Sequence, residues 1–379
     1  MIEPKINFNE APFLGTEFQY IKDAIDAKHI SGDGKYTKLC NEILEKHANS
    51  PKALLVQSGT AALEMAALLL NIQPGDEVIC PSYTFVTTAS SFALRGAKIV
   101  FVDIRDDTLN LDEKKLEAAI TNKTRAIIPV HYAGVGCEMD EIIAIAEKHN
   151  LAVVEDAAQA VGSYYKERPL GGIADLGCYS FHETKNISCG EGGALIINKQ
   201  QLVELSEIIR EKGTNRSRFF RGQVDKYTWV ELGSSYLPSD MNAAYLYPQL
   251  LEMTKINQRR MTIWNKYHES FSEFSQVIKT PFVPQHCQHN AHMYYLRFDN
   301  LQIRSDFIQY MKEHNIMCVF HYIPLHSSPA GQKFGRVSGP MDITDKVSAT
   351  LVRLPLYYGM DEQVQNRIIK TACKFLEKL

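Results

Sequence analysis

From about residue 53 to residue 200 the chain alternates short apolar runs with stretches of helical periodicity. Lys52–Val56, Glu77–Cys80, Lys98–Val102, Ala126–Val130 and Ala152–Glu155 read as strands, near-continuous in β-branched and other apolar residues. Between them, Thr60–Leu70, Thr87–Leu94, Leu111–Ile120 and Met139–His149 space their apolar residues as helices do, and Gln73-Pro74-Gly75-Asp76 closes the first. Strands that do not alternate with polar residues are buried on both faces, so this half of the chain predicts a mostly parallel sheet covered by helices. Tyr179–Phe181 and Gly193–Ile197 extend the strand set. Further on, one long helix is predicted over Met241–Phe271. Tyr294–Phe298, Asp306–His314, Met317–His321 and the helix Asp361–Leu379 then predict a smaller α+β unit. The expected division is a large domain over residues 1–250, N-terminal segment included, and a small C-terminal domain over 251–379. Gly213–Val230 is the main polar stretch without periodicity, and irregular segments of that length often carry function.

Composition narrows the class. The chain has 379 residues, 45% hydrophobic and 22% charged, as expected of a soluble two-domain protein. A net charge of −3 gives no basic field for nucleic acid. No apolar run approaches the length needed to span a bilayer, and Met1–Lys5 lacks the apolar core of a signal peptide. The eight cysteines form no Cys-x-x-Cys pair and several lie in apolar segments, which suits reduced thiols and a cytoplasmic location.

The candidate chemistry lies in two segments. Glu155-Asp156-Ala157-Ala158-Gln159 puts carboxylates just past the apolar run Leu151–Val154, where ligands bind in open α/β sheets. Ser180-Phe181-His182-Glu183-Thr184-Lys185-Asn186 holds a lysine between an apolar strand and Gly190-Glu191-Gly192-Gly193. A lysine amine, a carboxylate and nearby hydroxyls are what pyridoxal 5′-phosphate requires: the lysine forms the Schiff base, and the acid keeps the pyridinium protonated. The plainer alternatives are that Asp156 caps a helix and that Lys185 is a solvated surface charge. Gln57-Ser58-Gly59-Thr60-Ala61 follows a strand and opens a helix, a place where backbone amides bind phosphate or where Ser58 or Thr60 is only a cap. Three other patterns carry less. Gly32-Asp33-Gly34-Lys35 lacks the spacing and the preceding strand of a phosphate loop. His182-Glu183 has no second histidine at zincin spacing. His286-Cys287-Gln288-His289-Asn290-Ala291-His292 matches no metal-ligand spacing, so no metal is expected. The basic loop with Arg210, Lys212, Arg216, Arg218, Arg221 and Lys226, interleaved with Phe219, Phe220 and Tyr227, reads either as a solvated face or as a grip for a nucleotide diphosphate.

Taken together, SGTAAL (Ser58–Leu63), PSYTFVTT (Pro81–Thr88), PVHYAG (Pro129–Gly134), EDAAQ (Glu155–Gln159), SFHETKN (Ser180–Asn186), EGG (Glu191–Gly193) and HYIPLH (His321–His326) resemble the nucleotide-sugar aminotransferases of the DegT/DnrJ/EryC1/StrS family, in order along the whole chain. The resemblance implies the fold of type I pyridoxal phosphate enzymes, the aspartate aminotransferase-like arrangement. It implies Lys185 as the residue that carries the cofactor and shuttles the proton, with Asp156 on the pyridinium nitrogen. It also implies Gln159 near the ring hydroxyl, Phe85 on the ring face, and Gly59, Thr60 and Ser180 on the phosphate. Ser235 stands where many members carry an asparagine supplied by the partner subunit, so a hydroxyl is expected in place of that contact. Arg221, His321, Tyr322 and His326 are expected to line the sugar-nucleotide entrance. The implied cycle takes an amino group from L-glutamate, releases 2-oxoglutarate, leaves pyridoxamine 5′-phosphate, and places the amine on C4 of a nucleotide-linked 4-keto-6-deoxy sugar. The details, HETKN and RGQVDKYTW among them, are closest to enzymes forming dTDP-4-amino-4,6-dideoxygalactose for cell-surface polysaccharides. A C3 or C4-epimeric aminotransferase is the near alternative, and a non-catalytic regulator on the same fold the distant one. A homodimer with shared active sites is implied as well.

Overall fold

The computed structural model describes residues 4–379. Its fourteen strands form three sheets. The largest has eight strands: β1 (Lys52–Val56), β2 (Glu77–Pro81), β3 (Lys98–Val102), β4 (Thr124–Ile127), β5 (Ala152–Asp156), β8 (Leu176–Ser180), β9 (Gly193–Ile197) and β13 (Gly335–Val337). Their order is β1-β9-β8-β5-β4-β2-β3-β13, and β9 alone runs against the others. A three-stranded ribbon joins β6 (Tyr164–Tyr165) to β7 (Arg168–Pro169) and β10 (Cys287–Gln288). The C-terminal sheet has the order β11-β14-β12, from Tyr294–Arg297, Leu351–Leu354 and Val319–Phe320.

The large sheet is buried on both faces, as its unbroken apolar strands require. One side packs residues such as Leu55, Ile79, Val100, Ile127 and Val153, and the other Leu54, Val78, Ile99, Ala126 and Val154. A separate core around Trp264, Tyr267, Phe271, Tyr294, Leu296 and Phe307 holds the C-terminal unit together. The boundary expected at residue 250 is crossed in both directions. Strand β13 returns to the edge of the large sheet beside β3, β10 pairs with β6, and Ile6 bridges to Ile316. These crossings carry residues 290–292 and 321–326 of the C-terminal unit up against the large sheet.

Some elements differ from the sequence reading. The helix expected over 241–271 is two, Asp240–Leu251 and Met253–Phe271, parted where Glu252 leaves helical geometry at ψ 14°. Pro248 sits in the last turn of the first and cannot donate its backbone hydrogen bond. The helix expected over 111–120 shrinks to the turn Glu113–Lys115 and the helix Leu116–Ala119, because Leu111 is drawn into a bridge with Ile104. Helices Glu17–Asp26 and Lys35–Ala48, not foreseen, pack on the helix Asp240–Leu251.

Candidate active site

The parallel strands of the large sheet end on one edge, and the expected catalytic residues leave the chain there. Strand β1 runs into Gln57–Thr60, β2 into the turn before Phe85, β5 ends on Asp156, and β8 ends on Ser180. Register confirms the level: Val56 and Ser180 both pair with Gly193, and Asp156 pairs with Cys178.

Asp156 is buried. Its Oδ2 accepts from the Thr88 hydroxyl at 2.7 Å, and its Oδ1 accepts from the Ala158 amide at 3.2 Å. Thr88 is itself fixed by Thr84 at 2.8 Å. Gln159 accepts from the Ala133 amide at 2.7 Å and donates to the Tyr322 hydroxyl at 2.9 Å. Lys185 follows the tight turn after β8 and shares a small pocket with Ala158, Gln159, Ser180, Asn186, Asn290 and His292. Its amine makes no hydrogen bond among the described residues, and desolvation lowers its pKa to about 8 against the pull of Asp156. The amine is thus about one-tenth neutral at pH 7 and mostly neutral above pH 8, where an ordinary lysine stays protonated.

The helix Gly59–Leu69 begins at the same edge. Ser58 caps it by accepting from the Ala61 amide at 3.0 Å, so the plain reading of that serine holds. The amides of Gly59 and Thr60 are first-turn donors with no helical acceptor. Gly59 lies so close to strand β8 that a Cβ there would come within 3.0 Å of the Ser180 Cβ. Free amides, the Ser180 hydroxyl, a buried carboxylate and an unpartnered amine on one rim fit a phosphate-bearing aromatic aldehyde.

The C-terminal unit closes the opposite wall. His321 and Tyr322 stack at 3.6 Å, and Tyr132 reaches His321 Nδ1 at 2.7 Å. Burial holds His321 neutral, well below the usual imidazole range. Tyr322 sits at φ 28°, a strained backbone position for a bulky residue, pinned by Gln159 on its hydroxyl and Ser348 on its carbonyl. Phe85 is 55% exposed on the rim, its ring 6.5 Å from that of Tyr322.

Three expected residues lie elsewhere in the single chain. His326 is engaged by Ser82 at 2.7 Å and faces Asp345 at 3.4 Å, so its ring ties the C-terminal unit to the end of β2. Arg221 pairs with Glu207 at 2.8 Å on an exposed loop, and Ser235 is exposed beside Gln57. Thr88, Tyr132, His292 and Arg353 were not singled out from the sequence. The signal for Arg353 was present, as a lone charge inside the apolar run Leu351–Leu356. His292 donates from Nδ1 to Asn186 Oδ1 at 3.0 Å, since the Asn186 amide nitrogen is spent on Asn290 and Asn257. His286 and His289 turn away from it, toward Glu138 and Trp264.

The model of the DegT/DnrJ/EryC1/StrS aminotransferase family matches residues 14–372. The chain belongs to this family. It is 34% identical over 368 residues to the spore coat polysaccharide biosynthesis protein SpsC of Bacillus subtilis, covering 95% of this chain and 94% of that one. Among solved structures it resembles Spr1654 of Streptococcus pneumoniae, described as a sugar aminotransferase. The apo form gives a TM-score of 0.92 at 28% identity, covering 99% and 98% of the two chains. Spr1654 has also been solved in pyridoxal and pyridoxamine phosphate forms. DesV of S. venezuelae, in complex with a ketimine intermediate, gives 0.91 at 26% identity with full coverage of both chains, 100% each. The chain thus has the fold of the pyridoxal phosphate aminotransferases.

Proposed function

We propose that this chain moves the amino group of L-glutamate to C4 of a nucleotide-linked 4-keto-6-deoxy sugar. The favoured acceptor is dTDP-4-keto-6-deoxy-D-glucose and the product dTDP-4-amino-4,6-dideoxy-D-galactose. The observation that carries the reading is Lys185, an unpartnered amine with its pKa lowered to about 8, in the turn past strand β8, whose parallel neighbour β5 ends on Asp156. Pyridoxal 5′-phosphate is the cofactor these residues fit, and when bound it supplies the electron sink for the α-carbon of the amino acid.

The protein's part is binding, orientation and proton movement. Gly59, Thr60 and Ser180 would hold the phosphate of the cofactor at the helix N-terminus. Asp156, fixed by Thr88 and Ala158, would present a carboxylate to the ring nitrogen and keep its proton in place. Gln159 spans from the Ala133 amide to Tyr322 and so links the two walls. Lys185 Nζ would take the α-proton of the donor and give it back. The nucleotide is bound remotely, by the loop around Arg221, which orients the ketone.

A homodimer with shared sites accompanies this reading. Residues 219–232 expose Phe220 and Trp229 to 70% and 73%, a large apolar cost for an isolated chain. Among the described residues no helix is long and apolar enough to cross a membrane, and all eight cysteines are free, in keeping with a cytoplasmic enzyme. Incubation with L-glutamate and dTDP-4-keto-6-deoxyglucose, followed by product NMR, tests the assignment. An axial amine on C4 is expected, and an amine on C3 or an equatorial amine on C4 would replace it with the neighbouring activity.

A further inference from the structure

Asn186 follows the reactive lysine directly and is buried. Both hydrogens of its amide are used: Nδ2 donates to the Asn290 carbonyl at 2.7 Å and to Asn257 Oδ1 at 3.0 Å. Its Oδ1 accepts from His292 Nδ1 at 3.0 Å. The two partner asparagines turn to a different segment. Asn290 Nδ2 donates to the carbonyls of Gln159 and Val161 at 2.9 and 3.0 Å, and Asn257 Nδ2 donates to that of Val161 at 3.2 Å. Residues 290–292 are held in turn by the buried Arg260, which gives Nε to the Ala291 carbonyl at 3.2 Å and Nη2 to the His292 carbonyl at 2.7 Å. Three carboxamides and a guanidinium thus join four pieces of chain: the turn after β8, the segment after β5, the helix Met253–Phe271 and residues 290–292 of the C-terminal unit.

The cluster begins where the sheet ends. Strands β5 and β8 are parallel neighbours, and their pairing stops at Asp156 and Cys178. Lys185 lies past the end of β8 and Gln159 past the end of β5, so strand pairing does not set the spacing of the amine from the β5 side. The asparagines span that interval, and Asn186 and Asn290 line the same small pocket as Lys185, Gln159 and His292. We propose that Asn186 is a positioning residue: through Asn257 and Asn290 it holds Lys185 at a set distance from the Asp156–Gln159 segment and ties the lysine to the C-terminal unit. The inference rests on the aminotransferase reading above. A short carboxamide suits the task because it fixes spacing through paired hydrogen bonds and adds no charge beside Lys185 and Asp156. A reacting group misplaced by about 1 Å can lose about 100-fold in rate while binding is kept. Gln249 supplies the contrast. Its Oε1 accepts from the Ser188 amide at 2.9 Å and its Nε2 donates to the Pro12 carbonyl at 3.0 Å, so it anchors the same turn to the N-terminal segment, away from Asp156.

The test compares Asn186→Ala, Asn186→Gln and Asn257→Ala with Gln249→Ala, at a temperature where thermal melts show all of them folded. The first readout is acetylation of Lys185 by trace acetic anhydride across pH in cofactor-stripped protein, followed by mass spectrometry. Both Asn186 variants are expected to raise the Lys185 pKa by about one unit, toward that of an ordinary lysine, as water enters the loosened turn. Asp156 and Arg353, the charged groups that act on Lys185, are the same in every variant. The second readout is the single-turnover donor half-reaction of holoenzyme with L-glutamate. Its maximal rate is expected to fall about 10- to 100-fold in the Asn186 variants and less in Asn257→Ala, with KM and cofactor Kd within about threefold of wild type. Asn186→Gln keeps the chemistry but lengthens the reach, so it should not rescue. Gln249→Ala is expected to lower the melting temperature and leave rate and Lys185 pKa near wild type. An equal rate loss in Gln249→Ala would overturn the proposal, because any anchor of the turn would then serve. So would Asn186 variants that melt early yet keep normal rate and Lys185 pKa, or that lose cofactor affinity as much as rate. Asn257→Ala against Gln249→Ala makes the same comparison where an Asn186 variant does not fold. Wild-type enzyme that turns over no amino acid, while Lys185 still responds to Asn186 in the acetylation assay, would sink the functional reading and leave the positioning role standing.

Discussion

Two helices of this molecule start from glycine-bearing turns and treat their N-termini in opposite ways. At Lys35–Ala48 the chain supplies its own anion. Asp240 accepts from the Tyr36 amide at 3.2 Å and from the Thr37 amide and hydroxyl at 2.8 Å each. Gly34 is needed there because a Cβ would overlap that carboxylate. At Gly59–Leu69 no acid among the described residues enters, and the first-turn amides stay open on the rim that holds Lys185. Adjacent residues repeat the contrast. Glu155 is consumed by the fold: His131 at 2.9 Å and the amides of Gly171, Ile173 and Ala174 at 2.7–2.8 Å fill its carboxylate. Asp156 keeps acceptor capacity to spare. Saturated polar groups hold this protein together, and unsaturated ones mark where its ligands go.

Activity loss should separate the two classes most sharply. Lys185→Ala is expected to remove turnover by more than about 10⁴-fold while the melting temperature stays near wild type. Retained activity would mean that another amine carries the cofactor. Asp156→Asn is expected to lower kcat about 10³-fold with stability largely kept, since its charge serves the ligand. Glu155→Gln should do the reverse, costing about 2–4 kcal/mol in denaturant unfolding and only modestly affecting kcat at temperatures where it stays folded. If the two substitutions proved alike in both assays, the contrast between neighbouring carboxylates would be broken.

Much of this was legible in the sequence because it is local. The strands of the large sheet are apolar runs, and Asp156, Ser180 and Lys185 follow such runs directly, so their place on the sheet edge follows from parallel packing. What escaped depends on residues far apart in the chain. Gly32-Asp33-Gly34-Lys35 looks more like a phosphate site than Ser58-Gly59-Thr60 does, and only Asp240, brought in by a distant helix, reverses the ranking. The division near residue 250 was blurred for the same reason: β13 and β10 leave the C-terminal unit to pair with strands of the large one.

Smaller effects sharpen the helix comparison itself. Gly34→Ala should displace Asp240 and cost about 1–3 kcal/mol of stability, with kcat and cofactor affinity unchanged. Gly59→Ala should cost less in stability and instead raise the Kd for pyridoxal phosphate about tenfold, because the new methyl presses on Ser180 where the phosphate is held. Fluorescence titration of cofactor into stripped protein distinguishes the two. Equal Kd values in both variants would deny the open helix terminus its role.

The mildest test needs no substitution. An ordinary lysine amine is protonated to above pH 10 and attacks a carbonyl only through its small neutral fraction. Lys185 has its pKa lowered to about 8, chiefly because the folded chain strips water from the ammonium, with Arg353 adding repulsion and Asp156 opposing. The sign follows directly: below pH 8 the amine is increasingly protonated and unreactive, and above it the amine is mostly free. The rate at which stripped protein attaches pyridoxal phosphate covalently should therefore rise about tenfold per pH unit up to about 7.5 and level off beyond 8.5. A surface lysine would keep gaining up to pH 10. Stopped-flow absorbance across pH 6–10 reads the difference. A profile that climbs without a plateau would show that Lys185 is hydrated like the saturated surface pairs, and it would remove the amine from the unsatisfied class on which the comparison rests.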